Sequence, residues 1–179
     1  TKPGIPVDIT KYSSIIEKWI CENDYEVLAL STMFIMNVRW LDEAIKFSKK
    51  YHPNAKILLG GGYSTIYPEK VLEKHEVDFA VIGEAENTFL FLLNLINKFD
   101  DEDLEKKFSY IRYAYRKDEE ILLYEGAKKF IDMSLLPFPN WDILNVKKYF
   151  KNSGEKLLTI EPSRGCPFRC TFCNTSEGW

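Results

Sequence analysis

A chain of 179 residues is long enough for one domain with a full core and a small appendage. Its 45% apolar and 28% charged residues are those of an ordinary folded globular protein, and a net charge of −3 gives no electrostatic basis for general nucleic-acid binding. The longest apolar run, Phe89-Leu90-Phe91-Leu92-Leu93 and on to Ile96 past Asn94, falls far short of the about 20 residues of a membrane span. No secretory signal pattern is present, so a reducing cytoplasm is expected. The chain opens on Thr1 rather than a methionine, and both ends read as cut.

Tyr12, Ile15, Ile16, Trp19 and Ile20 recur at helical spacing with Glu17 and Lys18 between them, which predicts an amphipathic helix. Cys21 continues that pattern and reads as a small buried hydrophobe rather than a reactive thiol. Glu26 to Ser31 is a short, nearly all-apolar run that suits a buried parallel strand. Asn37 is placed to cap a helix whose inner face is Val38, Leu41, Ile45 and Ser48, and which Pro53 stops. Ile57-Leu58-Leu59 followed by Gly60, Gly61 and Gly62 predicts a second buried strand and a tight turn. Pro68 starts a short helix through Val71 and Leu72. Asp78 to Gly83 predicts a third strand, followed by a long apolar helix from about Glu86 to Lys98.

Strand and helix alternating with short links predict an α/β fold with a parallel sheet covered on both faces. Ligands of such sheets bind outside the carboxyl ends of the strands. The stretches to inspect are therefore Ser31 to Phe34, Gly60 to Tyr63 and Gly83 to Glu86. After Lys98 an acidic, lysine-rich stretch reads as a solvated loop. Tyr110 to Tyr115 and Ile121 to Tyr124 read as a β-hairpin, Leu136-Pro137-Phe138-Pro139 with Trp141 as a stiff linker, and Lys156 to Ile160 as a final strand. The expected division is 1–134 for the α/β domain with its hairpin, 135–155 for the linker and 156–179 for the start of a second domain.

Near the end stands Arg164-Gly165-Cys166-Pro167-Phe168-Arg169-Cys170-Thr171-Phe172-Cys173. Four-iron clusters are usually held by four cysteine thiolates. A loop that offers Cys166, Cys170 and Cys173 alone leaves one iron open to a small molecule. A zinc knuckle would pair a C-x₂-C with a second, distant ligand pair. None exists here, and His52 and His75 stand far upstream. A disulfide set is disfavoured by the odd number in the loop and the absence of any sign of secretion.

This segment resembles, residue by residue, the cluster loop of the radical S-adenosylmethionine enzymes. The resemblance implies a 4Fe-4S cluster on Cys166, Cys170 and Cys173, with Phe172 at the aromatic position near the adenine of S-adenosylmethionine. Val27-Leu28-Ala29-Leu30-Ser31-Thr32-Met33, Lys56-Ile57-Leu58-Leu59-Gly60-Gly61-Gly62 and Val77 to Glu86 look like the cobalamin-binding domain that precedes many barrels of that family. The hairpin and the proline-rich linker are similar too. The fold implied is flavodoxin-like. Cobalamin would lie over the strand ends, its nucleotide tail running past Gly60, Gly61 and Gly62, with Ser31, Thr32, Gly83, Glu84 and Glu86 around it. Glu84 and Glu86 also suit simple stabilisation of a helix N-terminus.

There are departures from the family pattern. The cobalt-ligating Asp-x-His-x-x-Gly of many cobalamin domains is missing, as it often is from members fused to radical barrels. Of the five strands that such a sheet carries, three are visible; the first strand and its helix read as missing, and Ile5-Pro6-Val7-Asp8 as a remnant of the second. An exposed edge at Val27 to Leu30 is then expected, with self-association of the isolated fragment.

What the resemblance implies for the parent is a cobalamin-dependent radical enzyme, in first place a methyltransferase. A 5′-deoxyadenosyl radical abstracts hydrogen from an unactivated carbon and methylcobalamin supplies the methyl group. Catalytic residues are not legible. The partners implied are a small-molecule, peptide or lipid substrate and an electron donor such as flavodoxin or ferredoxin. A cyclase or ring-rearranging radical enzyme is one alternative. The other is a cobalamin-free, flavodoxin-like binding or regulatory module with a vestigial cluster.

Overall fold

The computed structural model describes residues 9–33, 38–97, 111–126, 131–166, 168 and 170–173. Two compact units divide between Lys129 and Phe130, shortly before the boundary expected at 134. In the first unit the chain runs α1 (Ile9–Glu22), β1 (Val27–Ser31), α2 (Val38–Tyr51), β2 (Lys56–Gly60), α3 (Gly62–Ile66), α4 (Pro68–Lys74), β3 (Phe79–Val81), α5 (Ala85–Ile96), β4 (Arg112–Lys117) and β5 (Glu120–Glu125).

Ile57, Leu58 and Leu59 are all but fully buried, because β2 is flanked by strands on both edges and by helices on both faces. The sheet order is β1-β2-β3-β4-β5. β1 pairs with β2 in parallel from Val27↔Lys56 to Ser31↔Gly60, and β2 pairs with β3 through Leu58↔Phe79 and Leu59↔Ala80. The hairpin does not stand apart: β4 joins β3 antiparallel and β5 completes a mixed sheet. Asp118 takes the positive φ of 54° that its two-residue turn requires, as aspartate tolerates better than most residues.

Side-chain alternation sorts the core into two faces. Leu28, Ile57, Leu59 and Ala80 pack under Leu41 and Ile45 of α2, Tyr63 of α3, and Val71 and Leu72 of α4. Leu58, Val81 and Tyr113 pack on the other face, under Phe91 and Leu92 of α5. α1 docks on α2 through Ile20 against Ala44 and Phe47. At its solvent side, Lys50 and the Tyr51 hydroxyl both donate to Glu17, at 2.9 and 2.8 Å, and hold that carboxyl below its usual range.

Several expectations are corrected here. Of the apolar face expected on α1, only Ile20 is fully buried; Tyr12, Ile15 and Trp19 are each about half exposed. Cys21 is exposed, because it lies one position beyond the contact made by Ile20. Gly62 opens a helix, α3, where a turn alone was expected. In the second unit, the stretch expected as linker contains α6 (Val146–Ser153), capped by Asn145 and closed by Gly154 in the left-handed conformation. Lys156 to Ile160 is not a strand. Its side chains are exposed, and no strand lies beside it among the described residues to complete a ladder. Ile5 to Asp8, Phe34, Asn37, Lys98 and Tyr110 lie outside the described residues.

β1 ends the sheet, so its outer edge has no partner strand among the described residues. Beside it a cavity of about 570 Å³ is lined by Ile15, Trp19, Leu28, Leu30 and Trp40. An uncovered strand edge next to an apolar hollow recruits another chain. Light scattering on the isolated chain should show average mass rising with concentration, and Ala29→Lys, which places a charge on that edge strand, should hold it to monomer. A monomer at every concentration without the substitution would show that the edge is covered.

Candidate functional site

Three strands end side by side, and the turns that follow them form one rim. The Thr32 amide donates to the Gly60 carbonyl at 3.0 Å, just past the last paired residues of β1 and β2. The chain then crosses the end of β1. Gly61 sits at φ +93°, and a Cβ on it would lie 2.4 Å from the Thr32 carbonyl oxygen. A Cβ on Gly62 would lie 2.9 Å from the Met33 oxygen. Two of the three glycines are thus explained by backbone crossing backbone. Gly60 is different: its Cβ would meet only Val81 Cβ, at an ordinary 3.9 Å.

Two residues of α3, Ser64 and Thr65, bind the rim to β3 and to the turn that follows it. Ser64, fully buried, donates to the Val81 carbonyl at 2.7 Å. The Thr65 hydroxyl donates to the Gly61 carbonyl at 2.9 Å and accepts from the Gly83 amide at 3.0 Å. Gly83 takes a positive φ of 72°, which turns the chain from β3 into α5. Sequence reasoning passed over Ser64 and Thr65. The available signal was two hydroxyl side chains directly after a glycine turn, placed to bond backbone.

Alternation puts Ala29, Ser31 and Gly60 on the face that carries α5, in line with Val27 and Leu58. Ala29 and Ser31 are exposed and Gly60 is half-buried. The result is a lane of small residues along β1 and β2 that opens at the rim. Ala29 was not singled out in the sequence, where it reads only as one more apolar residue. Thr32 is 4% exposed, and its hydroxyl has no hydrogen-bond partner among the described residues. Glu84, also 4% exposed, occupies the N-cap position of α5 without a side-chain capping bond. Glu86 is half-buried in the first helical turn, where a carboxylate suits the helix dipole.

On the opposite face, Asp42 of α2 binds His75 Nδ1 at 2.7 Å, and the Tyr63 hydroxyl lies 3.3 Å from His75 Nε2. These contacts tie α2, α3 and the end of α4 together. Burial, and then the Asp42 carboxylate, push the Tyr63 hydroxyl above its ordinary range. Tyr63, Tyr67, Lys70, Lys74 and His75 line a hollow of about 670 Å³ on that side.

In the second unit Cys166 and Cys170 are exposed and Cys173 is half-exposed; the Cys173 amide donates to the Cys170 carbonyl at 3.0 Å. Phe172 is 91% exposed. Among the described residues no three His, Cys, Asp or Glu side chains converge on a metal-sized site. The structure gathers the strand-end residues and leaves the three thiols apart.

The chain also matches a known family. Residues 4–93 match the B12 binding domain, and the chain belongs to that family. Among curated relatives, the anaerobic magnesium-protoporphyrin IX monomethyl ester cyclase of Cereibacter sphaeroides is 27% identical over 96% of this chain and 28% of its own length. The bacteriochlorophyllide d C-8(2)-methyltransferase of Chlorobaculum tepidum is 25% identical over 86% of this chain and 29% of its own. A putative methylthiotransferase of Methanocaldococcus jannaschii is 33% identical over 82% of this chain and 28% of its own. The chain therefore spans less than a third of the length of these relatives. No described helix is long and apolar enough to cross a membrane.

The two kinds of glycine predict different stabilities. Gly61→Ala should lower the urea-unfolding free energy by at least about 1–3 kcal/mol from strain at a positive φ, with a further loss from the clash with the Thr32 backbone. Gly60→Ala should change it by less than about 1 kcal/mol. Equal losses would contradict the difference in backbone crowding between the two positions.

Proposed function

We propose that this chain is the cobalamin-binding part, and the start of the catalytic part, of a longer radical S-adenosylmethionine enzyme, in first place a methyltransferase. The observation that carries the cobalamin half is the lane of Ala29, Ser31 and Gly60. A large flat ring needs backbone that it can approach closely, and at Gly60, unlike Gly61 and Gly62, an added Cβ would meet no backbone, only Val81 Cβ at an ordinary 3.9 Å among the described residues. Gly61 and Gly62 shape the turn beneath it. Ser31 and Thr32 offer hydroxyls at the end of β1, and Glu84 offers a buried carboxylate at the end of β3.

The radical half rests on the spacing of Cys166, Cys170 and Cys173, which offers three thiolates to a 4Fe-4S cluster and leaves one iron open. Bound there, the cluster with S-adenosylmethionine would supply radical chemistry, and cobalamin the methyl group. This chain's part is to hold these groups and keep water from them. The names of the relatives, a cyclase and methyltransferases among them, support the reaction class and leave the substrate open. An electron donor such as flavodoxin or ferredoxin, and a cytoplasmic setting, belong to the same reading.

Anaerobic reconstitution of the full-length polypeptide with iron and sulfide, followed by hydroxocobalamin dialysis, tests both halves. Visible charge-transfer absorbance should appear, be abolished by Cys170→Ala and survive Cys21→Ala. Cobalamin should be retained, and Gly60→Leu should release it. Equal iron uptake by a variant with all three loop cysteines replaced by alanine would refute the cluster. Retention unchanged by Gly60→Leu would refute the lane.

A further inference from the structure

We infer that Thr65 is a positioning residue for the cobalamin site, acting as a clasp between the two glycine turns that frame it; the inference rests on the cobalamin reading above. Its hydroxyl has one proton and available lone pairs, and both capacities are used across the rim. The proton goes to the Gly61 carbonyl at 2.9 Å, and a lone pair receives the Gly83 amide at 3.0 Å. Gly61 and Gly83 both hold positive φ, at 93° and 72°. Such turns lack a side chain to fix them and lose more freedom on ordering than other residues do. Without the clasp, the bond from Ser64 to the Val81 carbonyl, two residues before Gly83, would still tie α3 to β3 but would leave the Gly83 turn itself less fixed. Thr65 therefore sets the separation of Gly60 from Glu84, between which a flat ligand over the strand ends has to fit.

The role is separable from folding. Thr65 is half-buried in a short helix, and valine keeps its shape while removing both bonds. Serine keeps both bonds and loses a methyl group.

The test uses the full-length polypeptide, with two readouts. Hydrogen exchange at the Gly83 amide, measured without ligand, should be slow in the unmodified protein and in Thr65→Ser, and fast in Thr65→Val. The hydroxocobalamin dissociation constant should rise about tenfold in Thr65→Val, as expected for a lost hydrogen bond. It should return to near the unmodified value in Thr65→Ser, with melting temperatures of all three within a few degrees. Unchanged exchange at Gly83 in Thr65→Val overturns the clasp. Normal cobalamin affinity in Thr65→Val, beside tight binding by the unmodified protein, overturns the positioning role alone. No cobalamin binding by the unmodified protein overturns the cobalamin reading, and this inference with it.

Discussion

The passage of Gly61 over the end of β1 is the contact on which the rest of the rim depends. It brings the chain so near the Thr32 carbonyl that a side chain has no room, and it does so at the point where β2 stops pairing with β1. From there α3 can begin at once, which places Ser64 and Thr65 within reach of β3. A longer or less tightly bent turn would carry both hydroxyls away from Val81 and Gly83. The three strand ends would then be separate loops rather than one surface. The cost of the unusual backbone is offset locally by hydrogen bonds that leave the crossing carbonyls and amides paired.

The two faces of the sheet are finished differently, and the difference locates the site. Under α2, α3 and α4 the side chains are large and close-packed, and the Asp42–His75–Tyr63 chain ties the helices to one another. Under α5 the core is equally dense over β2 and β3, yet it thins toward β1, where Ala29 and Ser31 face outward. Small residues in a strand give up packing area worth roughly 25 cal/mol per Å² of apolar surface left uncovered. Where such a loss falls in a line that ends at a glycine rim, ligand approach is a physical reason for it.

Much of this could be seen in the sequence. Ile57 to Leu59 announces a buried parallel strand because the run does not alternate, and Pro68 suits the first turn of α4; Val27 to Ser31 is a parallel strand as expected, but only Leu28 in it is buried. The glycines after Leu59 stand at the strand ends, although the sequence cannot separate the two that touch backbone from the one beside a side chain at ordinary contact distance. Ser64 and Thr65 follow a glycine turn, which is a local signal, but their partners Val81 and Gly83 lie 17 and 18 residues away, and that relation has no local pattern. The exposure of Cys21, Ile15 and Trp19 was missed for a related reason. Helical periodicity gives an apolar face but not what lies against it, and here α1 rests on α2 through Ile20, which leaves Ile15 and Trp19 half exposed. The hairpin was legible as a hairpin, but its place at the edge of the same sheet follows from pairing with β3, which only the fold supplies. The cysteine triplet is the reverse case: its meaning lies wholly in its spacing, and the surrounding backbone adds nothing to it.

The central proposal, that cobalamin lies over the ends of β1, β2 and β3 beside the lane of Ala29, Ser31 and Gly60, is tested most directly by titrating the isotope-labelled chain with hydroxocobalamin and following each backbone amide by nuclear magnetic resonance, which registers weak binding as well as tight. The account predicts that the amides of Ala29, Ser31, Thr32, Gly60 to Gly62, Gly83 and Glu84 shift together and saturably, while those of Tyr67, Lys70, Lys74 and His75 on the other face stay in place. Shifts centred on that second group, or none at the rim at saturating ligand, would contradict it.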